Sequence, residues 1–181
     1  MLARRILVVL GVVVVLVAGF LAYRMLPEAG PDDGTQLSPT LRRALGDRVV
    51  QVLELDRSAR RPVLDTADQI VCAARVFGSE PLAVKSADEV SAAFARILCV
   101  QVQPDGTAGE RVHAPISVQL RPSVLVRCPR DGAAYADDLD RIFPERLHDV
   151  VRRDDPRYGE LRDEVERRLL ELTTQGSPAT R

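Results

Sequence analysis

The sequence predicts an α+β domain carried behind an N-terminal transmembrane helix. Three observations carry that reading. Residues Ile6 to Tyr23 form an apolar run without a charge, apolar β-type segments cluster in the middle of the chain, and helical patterns lie on either side of them. Strands grouped without βαβ alternation argue against a doubly wound sheet. The expected architecture is therefore a transmembrane helix, then a helix, a 3–4-stranded antiparallel sheet, and one or two C-terminal helices packed on one face. The expected divisions are a signal anchor at 1–25, a linker at 26–38, an extracytoplasmic α+β domain at 39–173 and a disordered tail at 174–181.

The run from Ile6 to Tyr23 is bracketed by Arg4, Arg5 and Arg24. Eighteen residues at about 1.5 Å each give roughly 27 Å of helix, close to the hydrocarbon thickness of a bilayer. In lipid, an unbonded backbone group costs several kcal/mol, and a helix satisfies them all within one segment. The run exceeds the 7–15 apolar residues of a cleaved signal peptide, and no small-x-small site follows it at the expected distance. An uncleaved anchor is thus the expectation and a cleaved signal the alternative. No cysteine lies near the segment, which excludes a lipoprotein-type anchor. Arg4 and Arg5 flank one end, whereas Arg24 is followed by Glu28, Asp32 and Asp33 at the other. The positive-inside rule then puts the N-terminus in the cytoplasm and the bulk of the chain outside, single-pass in the cell membrane. The lipid bilayer is the first expected partner, through residues 6–23.

The net charge of −1 conceals a split. Without the three flanking arginines, 22 basic residues remain against 26 acidic ones. A nucleic-acid partner calls for a basic domain, and none is present. The absence of Trp and the 4% aromatic content argue against a sugar-binding or aromatic-cage surface.

Pro27 to Gln36 holds two prolines, two glycines and three acids, the composition of a juxtamembrane linker. Ser38-Pro39 supplies an N-cap and a proline at the first helical position. Leu41, Leu45, Val49, Val52 and Leu55 then recur at helical spacing to about 55, with Gly46 a candidate break and Val49 to Leu55 an alternative strand. Asp68 to Gly78 and Ala92 to Gln103 read as strands, separated by a loop with one helical turn at Ser86. Pro104-Asp105-Gly106 is a turn. Pro115 to Leu120 and Val124 to Cys128 give a third strand and a fourth, bent or split at Pro122.

Tyr135 to Arg153 reads as an amphipathic helix with Leu139, Ile142, Phe143, Leu147, Val150 and Val151 on one side, kinked or restarted at Pro144. A last helix, Pro156 to about Thr173, carries Leu161, Val165, Leu169 and Leu172 inward. Its outer face offers Arg162/Glu166 and Asp163/Arg167 as i,i+4 pairs.

Chemistry-bearing residues are few. No catalytic, cofactor-binding or metal-ligating residue is singled out, and no cofactor is expected. His113 and His148 have no nucleophile and orienting acid in a recognisable motif. The acids Asp137, Asp138 and Asp140 point in different directions on a helix and read as a solvated face. No CxxC or HxxxH spacing supports zinc.

Cys72 and Cys99 are the one pair that geometry singles out. A hairpin across the 79–91 loop, with partner numbers totalling about 171, sets them directly opposite. A non-hydrogen-bonded antiparallel pair brings Cα atoms to about 4.5 Å, inside the disulfide range. The extracytoplasmic placement allows the bond, and two buried free thiols are the alternative. Cys128 is left over, as a free core thiol or a competitor for one of the pair.

The strings CAARVFG at 72–78, ILC at 97–99 and YADDLDRIFPE at 135–145 together resemble a small extracytoplasmic domain of actinobacteria. That domain recurs in membrane-anchored proteins and lipoproteins, and the resemblance spans roughly 69–150. It implies a compact α+β domain and brings no activity, substrate or catalytic residue. Basic residues that are nearly all arginine, with Lys85 the only lysine, fit a GC-rich bacterial source. The function expected is non-catalytic binding of a protein or envelope component by a membrane-tethered outer domain. A small cell-envelope enzyme and an accessory subunit of a membrane complex are the alternatives.

If the cysteine pairing holds, the closed loop stabilises the domain by roughly 3 kcal/mol. Non-reducing mass spectrometry of the purified chain should then find the peptides carrying Cys72 and Cys99 linked. Two free thiols at these positions would overturn the pairing.

Overall fold

The computed structural model describes residues 37–65 and 69–175. The expected membrane helix at 6–23, most of the linker and the tail from 176 lie outside the described residues. Among the described residues, no helix is long and apolar enough to cross a membrane.

Helix α1 spans Pro39–Leu55, with the Ser38 hydroxyl accepting from the Leu41 N–H at 3.2 Å. It runs unbroken through Gly46, so the alternative strand at 49–55 does not form. Leu37, placed in the linker by sequence, is buried in the core beside Leu41. A short helix, α2 (Arg57–Arg60), follows where the sequence suggested only a terminator; the Asp56 carboxylate caps it through the N–H groups of Ser58 and Ala59.

Four antiparallel strands form one sheet in the order β1-β2-β3-β4: Ile70–Glu80, Ala92–Val102, Ala108–Gln119 and Leu125–Arg127. The third strand thus starts seven residues earlier than the sequence reading put it. The fourth is a separate strand, split off at the turn that contains Pro122. Cys72 stands opposite Cys99 in the β1–β2 register, with Cα atoms 4.1 Å apart and sulfurs at a disulfide distance of 2.08 Å.

After Val76 the register slips by one residue. The slip reverses the alternation and turns Gly78 toward the C-terminal helices. A Cβ there would lie 3.0 Å from a Leu147 methyl group, so the absent side chain lets that segment settle on the strand.

The amphipathic stretch after the sheet restarts at Pro144 rather than bending. It gives α3 (Tyr135–Ile142), a 3₁₀ turn (Glu145–Leu147) and α4 (His148–Arg152). The last helix, α5, covers Tyr158–Gln175.

Layering explains why β1 and β2 are apolar throughout rather than alternating: both of their faces are covered. The sequence reading left the face of α1 open, and the structure puts it opposite the C-terminal helices. On the α1 side, Leu41, Leu45, Val49 and Leu53 pack on Cys72, Val76, Ile97, Cys99, Ile116 and Val118. Gly46 lets α1 come close to β1, since a Cβ there would sit 3.1 Å from the Ala74 carbonyl oxygen. On the other side there are two separate clusters. Leu161 and Val165 of α5 cover Val71, Ala73, Leu98 and Val100. Leu139, Phe143, Leu147 and Val151 cover Phe77 and Phe94, with the Phe143 ring centroid 6.1 and 6.0 Å from theirs.

The two helical layers meet around the β1 edge. Cys72 lies in a pair whose backbone groups point off the sheet rather than toward β2. Its N–H donates to Glu54 Oε1 of α1 at 2.8 Å, and its carbonyl accepts from Arg168 of α5. Arg168 and Glu54 also form a two-pronged ion pair at 2.7 and 2.9 Å. The neighbours Arg167 and Arg168 therefore divide. Arg168 turns inward, and Arg167 pairs with Glu164 and Glu171 rather than with Asp163.

Glu54→Ala and Arg168→Ala should each cost about 2 kcal/mol, because each leaves the partner charge and a Cys72 backbone group unpaired. In urea unfolding the double variant should cost at least about 0.5 kcal/mol less than the two single costs combined. Strictly additive costs would show that the pair does not act as a unit.

Candidate functional site

The residues that could carry chemistry are engaged in joints of the fold. His113 lies within β3 rather than in a turn. Its Nε2 is 3.3 Å from Asp155 Oδ2, and its ring meets Tyr158 edge-on at 4.8 Å between centroids. The Asp155 side chain is 1% exposed and also pairs with Arg75 of β1. Arg96, opposite Arg75 on β2, is itself buried and donates to the Val150 carbonyl at 2.8 Å and more weakly to that of Val151. Burial pulls the Arg96 pKa below the usual guanidinium range, while the Asp155 charge opposes that shift. Arg75 and Arg96 thus form a polar row between the two apolar clusters on this face. An arginine in the middle of each of two apolar strands was the sequence signal for it.

His148 opens α4. Its Nε2 lies 2.9 Å from the Phe143 carbonyl oxygen, which can only accept, so that nitrogen carries the hydrogen. Its Nδ1 is 3.4 Å from Asp140, which also holds Arg152. The two histidines therefore have different carboxylate partners, and no site joins them. Cys128 is a half-buried free thiol, and burial, aided by Asp131, pushes its pKa up to about 11. At neutral pH it is protonated and a weak nucleophile. Among the described residues, no group of His, Cys, Asp and Glu is arranged to hold a metal ion.

The acid run needs a correction. Asp137 and Asp140 are exposed as expected, but Asp138 is buried. Its carboxylate accepts from Arg130 Nε at 2.7 Å, Arg130 Nη2 at 2.8 Å and the Arg130 N–H at 3.1 Å, with Arg141 3.3 Å away. An arginine eight residues upstream was too distant in sequence to identify as the partner.

What remains open is a groove of about 470 Å³ at the C-terminal half of α1. Arg48, Gln51, Val52 and Leu55 line it at helical spacing, with Asp56 to Ser58 at one end and Leu120 and Val124 across from them. Leu55 is 76% exposed and Val124 43% exposed. Leu55 was expected on the inward stripe of α1. The inward stripe instead runs through Leu41, Leu45, Val49 and Leu53, and Leu55, two residues further on, turns to the other side of the helix. Arg48 pairs with the exposed Asp88 at 3.3 Å on the rim, while Leu55 and Val124 stay exposed. Such a groove can receive an apolar side chain or a short segment, and its one carboxylate, Asp56, is engaged in capping α2.

The chain matches no protein-family model, no curated protein and no solved structure.

The hydrogen bonds from Arg130 hold the Asp138 carboxyl below its ordinary pKa. A group whose folded pKa is depressed stabilises the fold above its unfolded pKa, and loses that contribution as pH falls through the folded one. The Asp138 contribution is therefore complete at neutral pH and fades below about pH 5. Urea midpoints measured from pH 7 downward should fall more gently for Asp138→Asn than for the parent chain, from a lower starting value. Parallel curves would overturn the assignment.

Proposed function

We propose that the chain is a single-pass membrane protein, anchored through residues 6–23, whose outer domain binds a protein or envelope component without catalysis. The open groove beside α1 is the observation that carries this reading. Leu55 and Val124 flank an open groove, and burying them together under a partner's apolar surface would be favourable. The stripe runs along one helix, so a short apolar segment of a protein partner suits it better than a compact small molecule. Two further features support the reading. His113 and His148 are each tied into structural contacts, and the cysteine pair at disulfide distance fits an oxidising compartment. The resemblance to membrane-anchored actinobacterial domains points the same way.

Leu55→Glu and Val124→Glu alter exposed positions and should leave the fold intact by circular dichroism. After crosslinking in native membranes, each should reduce recovery of the partner captured by the parent chain by roughly tenfold. A version lacking residues 39–181 should capture none of it. Equal recovery by the parent and both groove variants would overturn the proposal.

A further inference from the structure

A second concavity lies on the other side of the sheet, independent of the α1 groove. Its floor is built by two neighbouring cross-strand rows. One row is Phe94, Ser117 and Arg127, and the next is Glu80, Ala92, Gln119 and Leu125. The end of α3 closes it, with Arg141, Ile142, Phe143 and Pro144 forming a wall. The volume of this half-open pocket is about 220 Å³, below the 300–1,000 Å³ typical of drug-sized ligands.

The chemistry of the lining is divided. Phe94 and Phe143 are buried and, with Ile142 and Ala92, give an apolar base. Ser117 is buried at the middle of the floor, and its register partner Arg127 stands beside it on the short β4. No hydrogen bond or ion pair occupies the Arg127 guanidinium among the described residues. The charges around the pocket are Arg127, Arg141 with Asp138 3.3 Å away, and Glu80 with Arg146 3.4 Å away. Glu80 is thus offset by Arg146, and Asp138 is shared by Arg130 and Arg141, so the surroundings are net positive and Arg127 is the guanidinium there with no carboxylate of its own among the described residues. A guanidinium is shaped to bind a carboxylate through two parallel hydrogen bonds.

We infer that this pocket binds a small monocarboxylate bearing a short aliphatic group, its carboxylate on Arg127 beside the Ser117 hydroxyl and its apolar part on Phe94 and Phe143. The apolar base of Phe94, Ile142 and Phe143 matches a carboxylate that carries an aliphatic group better than a bare phosphate. The volume admits one residue-sized group. Two sources share this chemistry, a free small acid and the last residue of a polypeptide.

The test is a titration of the ¹⁵N-labelled full-length chain in detergent micelles with N-acetyl-L-valine. Saturable shifts of the Ser117, Gln119 and Arg127 amides are expected. N-acetyl-L-valinamide, which lacks the charge, and inorganic phosphate, which lacks the aliphatic group, should each bind at least roughly tenfold more weakly. Arg127→Gln, at an exposed position, should weaken N-acetyl-L-valine by a similar factor while the spectrum elsewhere superimposes. A hexapeptide ending in valine that binds as tightly as N-acetyl-L-valine would identify a chain terminus as the natural ligand. Its exclusion, with N-acetyl-L-valine still bound, would identify a free acid. The inference is overturned if N-acetyl-L-valine gives no saturable shifts, if amide or phosphate binds as well as the acid, or if Arg127→Gln has no effect.

Discussion

The arrangement depends first on how the edge of β1 is closed. A strand at the edge of a sheet offers unpaired backbone groups that cost free energy when dry and invite foreign strands when wet. At Cys72 these groups are taken up by the Glu54 carboxylate and the Arg168 guanidinium, which also bind each other. One carboxylate from the helix below the sheet and one guanidinium from the helix above it thus tie three layers at a single residue. The side chain of that residue faces Cys99 across the hairpin at disulfide distance, so both outer helices and the neighbouring strand converge on Cys72. The opposite edge is handled differently. β4 covers only Ser117 to Gln119 of β3. Further along, Pro115 lacks a donor and Glu110 and Arg111 place charges on the open stretch, which discourages strand addition.

The C-terminal side of the sheet is a compromise between apolar packing and a polar row. Arg75 and Arg96 stand directly opposite each other, a like-charge pairing that is unfavourable alone. The Asp155 carboxylate and the carbonyls at the end of α4 compensate for it and fasten the α4–α5 connection to the sheet. His113 belongs to the same joint, and His148 to the neighbouring one between α3 and α4. Groups that could serve acid–base chemistry elsewhere are here used to orient short helices with little core of their own. Two concavities remain, one along the outer side of the C-terminal half of α1 and one between the end of α3 and β4. The groove with Leu55 and the pocket with Arg127 occupy those two places.

The sequence by itself determined the α+β class and the order of the main elements from α1 onward, though not the short α2. Ser38-Pro39 started α1, the apolar stretches gave the first two strands to within about two residues, and Pro144 imposed the restart, because each signal is local. Turn-limited hairpin arithmetic was enough to set Cys72 against Cys99, since antiparallel register leaves one degree of freedom. Tertiary structure decided everything that joined residues distant in the chain. That α1 and α5 lie on opposite faces, that Arg168 turns inward to Glu54, and that Asp138 is buried against Arg130 depend on which charges find partners when layers close. Leu55, two residues past the buried Leu53, falls on the other side of α1 and ends in solvent. Periodicity tells which residues share a face; only packing tells whether anything covers it.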